Sequence, residues 1–100
     1  MDYWLVTDYH DRGSLYDYLK SDVLTADELV RVATSMCHGL AFLHTAVGNK
    51  PPVAHRDFKS RNVLIRQDMM ACIADFGLAL ALLEYPGDVH GQVMQQVAFC

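Results

Sequence analysis

The segment "HRDFKSRN", residues 55–62, sets five ionisable side chains and an asparagine into eight positions, and "DFG" follows at residues 75–77. Asp57 and Asp75 supply carboxylates, and Asn62 supplies an amide oxygen. These are hard oxygen donors of the kind Mg²⁺ takes, an ion that keeps few protein ligands and completes its shell with substrate phosphates. Lys59 lies two residues after Asp57, so in an extended stretch the two side chains share a face. An acid that accepts a hydroxyl proton, a lysine that holds a phosphate and an Asn/Asp pair that holds a metal together describe a phosphoryl-transfer centre. Taken singly, each piece has a plainer reading. Arg56 beside Asp57 is a solvated ion pair, worth little to stability, and Phe76 is core. The compound pattern weighs against the plain reading, because both acids fall in loops or at strand edges, where functional side chains are commonly presented.

Such a centre needs elements that bring the two acids together. "VLIR" (63–66) and "MACIA" (70–74) are short β-like runs around "QDM", and they predict a hairpin between the two motifs. Upstream, "TADE" (25–28) fits a capping box, with Thr25 accepting from the amide of Glu28 while Glu28 reaches back to Thr25. Leu29, Val32, Ala33, Met36, Cys37, Leu40 and Leu43 then recur at steps of three and four, which predicts one helix over about 26–44. Val30, Ala41 and Phe42 widen its apolar face and predict burial on more than one side. "SLYDYLKS" (14–21) places Leu15, Tyr18 and Leu19 at helical spacing behind Ser14 as an N-cap, a second and shorter helix. "YWLVT" (3–7) reads as a strand, "DYHDRGS" (8–14) as a connector and "TAVGNKPP" (45–52) as a loop. After the apolar stretch "LALALL", the segment "EYPGDVHGQ" reads as a loop. No internal repeat or low-complexity segment is visible.

The totals bound the rest. With 100 residues, 52% of them hydrophobic and 20% charged, the chain has a globular composition and room for one small domain. A chain of this size buries only about 60–70% of its unfolded surface, so a missing neighbour is felt strongly. The net charge of −4 argues against a general nucleic-acid binder. Cys37, Cys72 and Cys100 are odd in number and widely spaced, which fits neither a disulfide framework nor a zinc site; reduced thiols are expected. His38, His44 and His90 lack metal-ligand spacing, and His55 is expected to be packed or hydrogen-bonded rather than a general base. The start, "MDYWLVTDYH", does not read as a signal peptide, and no apolar run approaches the ~18–20 residues of a membrane helix.

"HRD", a lysine two residues after its acid, an asparagine five after it, a hairpin and then "DFG" is the order of the protein-kinase signature, and the chain resembles a eukaryotic protein kinase catalytic domain. Lys59 in "HRDFK" points to the serine/threonine class. The stretches "WLVTDYHDRGSLYDYLK", "GLAFLH", "HRDFKSRNVLI", "ACIADFGLAL" and "GDVHGQV" are similar to the activin and bone-morphogenetic-protein type II receptors, serine/threonine kinases of the transforming growth factor β superfamily. The fold implied is α+β, protein-kinase-like and partial: the last small-lobe strand, the hinge, and the start of the helical large lobe with its catalytic-loop β-hairpin. Residues 1–93 would form this partial domain, and 94–100 a divergent tail.

The resemblance implies roles residue by residue. Asp57 takes the place of the catalytic base and Lys59 that of the residue steadying the transferred phosphate. Asn62 and Asp75 match the metal ligands. Thr7 matches the gatekeeper, and Asp8, Tyr9 and His10 the hinge whose backbone bonds adenine. Ser14 and Asp17 match positions near the ribose, and Leu64 the floor of the adenine pocket. ATP with Mg²⁺ (or Mn²⁺) is the implied cofactor, and a type I receptor the implied protein substrate. No nucleic acid and no membrane segment are expected for this chain. The parent would lie on the cytoplasmic side of a single-pass plasma-membrane receptor, and the chain alone would be cytoplasmic.

The departures are equally definite. These hundred residues are expected to lack the Gly-rich loop, and the strand lysine paired with a helix glutamate, that this class needs. After "HGQV" the chain reads "MQQVAFC" instead of the family's continuation toward its Ala-Pro-Glu segment. The isolated chain is therefore expected to be inactive. The alternative is a non-catalytic fragment that acts, if at all, by binding a partner. A pseudokinase reading has little support, because Asp57, Asn62 and Asp75 are all retained.

Overall fold

The computed structural model describes residues 6–82 and 91–93. Two helices, α1 (Leu15–Ser21) and α2 (Ala26–His44), precede a short strand β1 (Val53–Ala54), a single 3₁₀ turn (Ser60–Asn62) and the hairpin of β2 (Val63–Ile65) and β3 (Ala71–Ile73). Strands β4 (Leu80–Leu82) and β5 (Gly91–Val93) follow. β2 pairs with β3, while β1, β4 and β5 form an antiparallel sheet in the order β1-β4-β5. This is the α+β arrangement expected of a partial kinase domain.

Local signals set both helix starts. Ser14 Oγ accepts the Asp17 amide at 3.1 Å. Thr25 and Glu28 close the capping box reciprocally, with Glu28 N donating to Thr25 Oγ1 at 3.2 Å and Thr25 N donating to Glu28 Oε1 at 3.0 Å. At the far end of α2, Lys50 Nζ donates to the carbonyls of Leu43, Thr45 and Pro51 at 2.7–3.0 Å and fixes the turn that leaves the helix. The hairpin turn is closed by Met69 N to Arg66 O at 3.0 Å, with Met69 in the left-handed region at φ 62°. The hairpin forms around "QDM" as expected, with the first strand one residue and the second two residues shorter than the sequence runs suggest.

α2 lies between two small cores. Val32 packs with Leu15, Val63, Ile65, Met69 and Ala71, while Leu43 packs with Val53, Ile73, Phe76 and Ala79. Gly39 lets the helix approach β3 closely, since a Cβ there would stand 2.9 Å from Ile73 Cδ1. Ser35, a polar residue on the buried face, joins the two elements: its Oγ accepts the Ala71 amide at 2.8 Å.

Several expectations are corrected. Burial on more than one side of α2 is not seen near its start. Leu29 and Val30 are 55% and 63% exposed, because the hairpin occupies one face only. Gly91 and Gln92, read as loop, belong to β5. β1 falls just past the expected loop, at residues given no element, and β4 in an apolar stretch not read as a strand; the two strands pair with each other. Of the strand expected at 3–7, residues 3–5 lie outside the described residues, and Val6 and Thr7 are irregular and exposed. Cys37 is a free, exposed thiol, but Cys72 is buried in β3 and disulfide-bonded, a departure from the expected reduced thiols. The divergent tail, 94–100, lies outside the described residues.

Candidate active site

Asp57, Lys59 and Asn62 are brought together by the loop that ends in the 3₁₀ turn. Asn62 N donates to Lys59 O at 2.8 Å and tightens that turn. The buried Asn62 side chain then folds back over the loop. Its Nδ2 donates to the Asp57 carbonyl at 2.8 Å and to Asp57 Oδ2 at 3.1 Å. Lys59 Nζ stands 3.5 Å from Asp57 Oδ1. The acid therefore has one oxygen held by an amide and the other facing a cation. Both side chains of the Lys59–Asp57 pair are partly open to solvent, so the pair orients Asp57 more than it stabilises the fold.

Asp75 is delivered by the hairpin. Val63 pairs with Ile73, and the Ala74 amide donates to Asn62 O at 2.8 Å, so Asp75 follows directly on the residue bonded to Asn62. Its backbone is left-handed at φ 60°, a region that Asp tolerates better than most residues. Asp75 Oδ1 accepts the Gly77 amide at 3.3 Å, a local turn that stabilises this geometry. Arg56 is also left-handed at φ 68°, and its Nε donates to Leu78 O at 2.6 Å, tying the first motif to the residue after the second.

The residues fit a magnesium–nucleotide site by donor chemistry. Asn62 spends its amide protons on Asp57, and Asn62 Oδ1 makes no hydrogen bond among the described residues. Among the described residues no group of three or more His, Cys, Asp or Glu side chains could hold a metal by itself. An Asn oxygen and one carboxylate with phosphate oxygens making up the shell is the pattern Mg²⁺ prefers.

The nucleotide positions divide. Ser14, Asp17 and Leu64 line one cleft of about 480 Å³. It is held together by an antiparallel bridge between Ser14 and Leu64 and by the Ile65 amide donating to Gly13 O at 2.9 Å. Gly13, at φ 72°, makes the turn into α1. Tyr9 and His10 line a different cleft, of about 300 Å³, with Arg66 and Asp68. Thr7 and Asp8 are exposed, with Thr7 Oγ1 directed at Asp8 O. The structure thus gathers Asp57, Lys59 and Asn62, sets Asp75 beside them through the hairpin, and joins Ser14, Asp17 and Leu64, but does not bring 7–10 to those groups. Two contributors escaped the sequence reading: Ser35, a single serine on an apolar helix face, and Arg56, whose neighbour Asp57 made it look like an ion-pair partner.

Comparison with known proteins decides the family. The model for protein tyrosine and serine/threonine kinases matches residues 1–97. The chain belongs to that family. It is 50% identical over 101 residues to activin receptor type-2B of Xenopus laevis, covering 93% of this chain and 20% of that protein. It is 48% identical over 100 residues to activin receptor type-2A of Homo sapiens, again covering 93% of this chain and 20% of the receptor. The chain thus spans about one fifth of the length of these curated relatives. No helix among the described residues is long and apolar enough to cross a membrane.

Proposed function

We propose that these residues are the catalytic-loop portion of a receptor serine/threonine kinase of the activin and bone-morphogenetic-protein type II kind, transferring the γ-phosphate of ATP to a Ser or Thr hydroxyl of a type I receptor. The observation that carries this reading is the Asn62 side chain clamped on both the carbonyl and the carboxylate of Asp57, with Lys59 on the other oxygen. Asp57 accepts the hydroxyl proton. Lys59 steadies the phosphate and offsets charge that develops on it. Asn62 Oδ1 and the Asp75 carboxylate hold Mg²⁺, or Mn²⁺, which supplies charge neutralisation on the phosphates when bound. Ser14, Asp17 and Leu64 receive the ribose and adenine, and Thr7 with the backbone of Asp8, Tyr9 and His10 forms the gatekeeper and hinge. Residues 1–93 form the partial kinase domain, ahead of a divergent tail, on the cytoplasmic side of a single-pass plasma-membrane parent. The hundred residues alone would be cytoplasmic and take no nucleic acid.

Taken alone, these hundred residues contain no Gly-rich phosphate loop, and we infer that by themselves they transfer no phosphate. The exposed Leu29 and Val30 on α2 favour a second reading for the chain alone, a non-catalytic piece that associates through these side chains. The test places residues 1–93 in the matching segment of human activin receptor type-2A and measures phosphotransfer to a serine peptide. We expect turnover that falls about 10²–10⁴-fold in Asp57→Asn, the range for losing a positioned general base. Equal turnover with and without the Asp57 carboxylate would remove the catalytic assignment.

A further inference from the structure

The cleft that holds Ser14, Asp17 and Leu64 has a second wall that the phosphotransfer reading does not use. Tyr16, Lys20 and Arg61 line it. The Tyr16 ring is flanked by both cations, with the Arg61 guanidinium carbon 4.3 Å and Lys20 Nζ 4.5 Å from its centroid. A tyrosine face attracts cations through its ring quadrupole and holds them where they stand.

The charges on this wall are unequal. Among the described residues Asp17 is the one carboxylate lining the cleft; it accepts from Ser14 Oγ at 3.1 Å and lies 4.0 Å from Lys20 Nζ. Arg61 is exposed and, among the described residues, has the Tyr16 ring but no carboxylate partner. Two cations facing one acid leave the wall positive in a chain whose net charge is −4. A guanidinium drawn to a ring face still carries N–H donors in a planar fork, and that fork matches a carboxylate or phosphate in two-point contact.

Arg61 is four residues beyond Asp57 in the same loop. Four residues span at most about 14 Å of extended chain. A peptide whose hydroxyl reaches Asp57 therefore presents a side chain to Arg61 from within about four residues of that hydroxyl. We propose that Tyr16, Lys20 and Arg61 form an anion clamp that selects protein substrates carrying an acidic or phosphorylated residue within about four positions of the acceptor Ser or Thr. The inference rests on the phosphotransfer reading for its substrate, but its readout is binding alone.

The test uses the hundred-residue chain and fluorescent serine peptides, with Glu, phosphoserine or Gln placed in turn at each of the four positions on either side, and measures anisotropy at low salt. At one position at least, Glu should bind about three- to tenfold tighter than Gln, and phosphoserine at least as tightly as Glu. The preference should shrink as salt rises. Arg61→Gln should abolish it, and Arg61→Glu should invert it in favour of a Lys peptide; both variants should melt with the parent, since Arg61 is exposed. Glu binding better than phosphoserine would restrict the source to unmodified acidic residues. Equal binding of Glu and Gln peptides everywhere, no peptide binding, or a Glu preference that survives Arg61→Glu would overturn the clamp. The readout is peptide binding without nucleotide or turnover, so failure of the clamp and failure of the catalytic assignment are read separately.

Discussion

Replacing Ser35 with alanine removes one hydroxyl and isolates one backbone amide. In the hairpin, Ile65 pairs with Ala71, but the Ile65 amide donates outward to Gly13 O. The pair is thus one in which the strands exchange no hydrogen bonds, and the Ala71 amide also points away from β2. Ser35 Oγ meets it at 2.8 Å. Ala71 is 4% exposed and Ser35 8%, so water does not replace the lost acceptor. An unpaired buried donor costs about 1–3 kcal/mol. Alanine returns about 0.5 kcal/mol through its better helix propensity. The Arg31 and Val32 carbonyls to which Ser35 donates, at 2.8 and 3.0 Å, lie inside α2 and keep their helical partners. The expected net loss is about 0.5–2.5 kcal/mol. With a urea dependence near 1 kcal/mol per molar for so small a chain, the midpoint followed by far-ultraviolet circular dichroism should fall by roughly 0.5–2.5 M. Thr34→Ala, an exposed change in the same turn, is the control and should not fall. A Ser35→Ala midpoint equal to that of Thr34→Ala would show that the serine does not tie helix to hairpin.

Gly39→Ala should destabilise despite the roughly 1 kcal/mol that a helix interior gains from losing glycine, because the new methyl meets Ile73 Cδ1 at 2.9 Å. In an Ile73→Val background, which removes that atom, the same change should become neutral or stabilising; additivity within about 0.5 kcal/mol in a double-mutant cycle would reject the contact. The capping box predicts a pH effect. The backbone amide of Thr25, and then its side chain, hold the Glu28 carboxyl below its ordinary value of 4.5. A depressed carboxyl contributes stability that is full above the ordinary value and is lost as the pH falls through the folded-state value. Glu28→Gln, which removes the titrating group, should therefore flatten the acid limb of the stability curve below about pH 4.5, and parallel acid limbs for parent and variant would count against the box.

What was legible in the sequence was local. The caps at Ser14 and Thr25, the hairpin around residues 67–69 and the spacing of Asp57, Lys59 and Asn62 each involve groups within a few residues of one another, so the geometry follows from types and offsets. β1 was not legible because its partner Ala81 stands 28 residues beyond Val53, and a two-residue strand carries no alternation of its own. Ser35 was not legible because its partner is 36 residues away and its own position reads as an interruption of an apolar face. The exposure of Leu29 and Val30 reverses an expectation for the same reason: periodicity reports that a face is apolar, whereas burial depends on what other segments supply. The division of the expected nucleotide residues between two clefts belongs here too. Ser14 and Leu64 are joined by a backbone bridge, while residues 7–10 gain no such tie to the hairpin.

His55 shows how the two motifs act as one unit. Its Nδ1 accepts the Asp57 amide at 3.1 Å, which requires that nitrogen to be unprotonated, so the proton sits on Nε2 and is donated to Ala74 O at 2.7 Å. The ring also meets Phe76 edge-on at a centroid distance of 4.9 Å, and both side chains are buried. One neutral imidazole thus holds the backbone at Asp57 and at the residue before Asp75, and packs against the ring of the residue after it. A displacement of Phe76 would disturb the ring, and through the ring the amide that sets Asp57. The positions of the two acids are therefore coupled through a neutral residue, so in the proposed phosphotransfer the histidine of the first motif and the phenylalanine of the second act by positioning, without touching substrate.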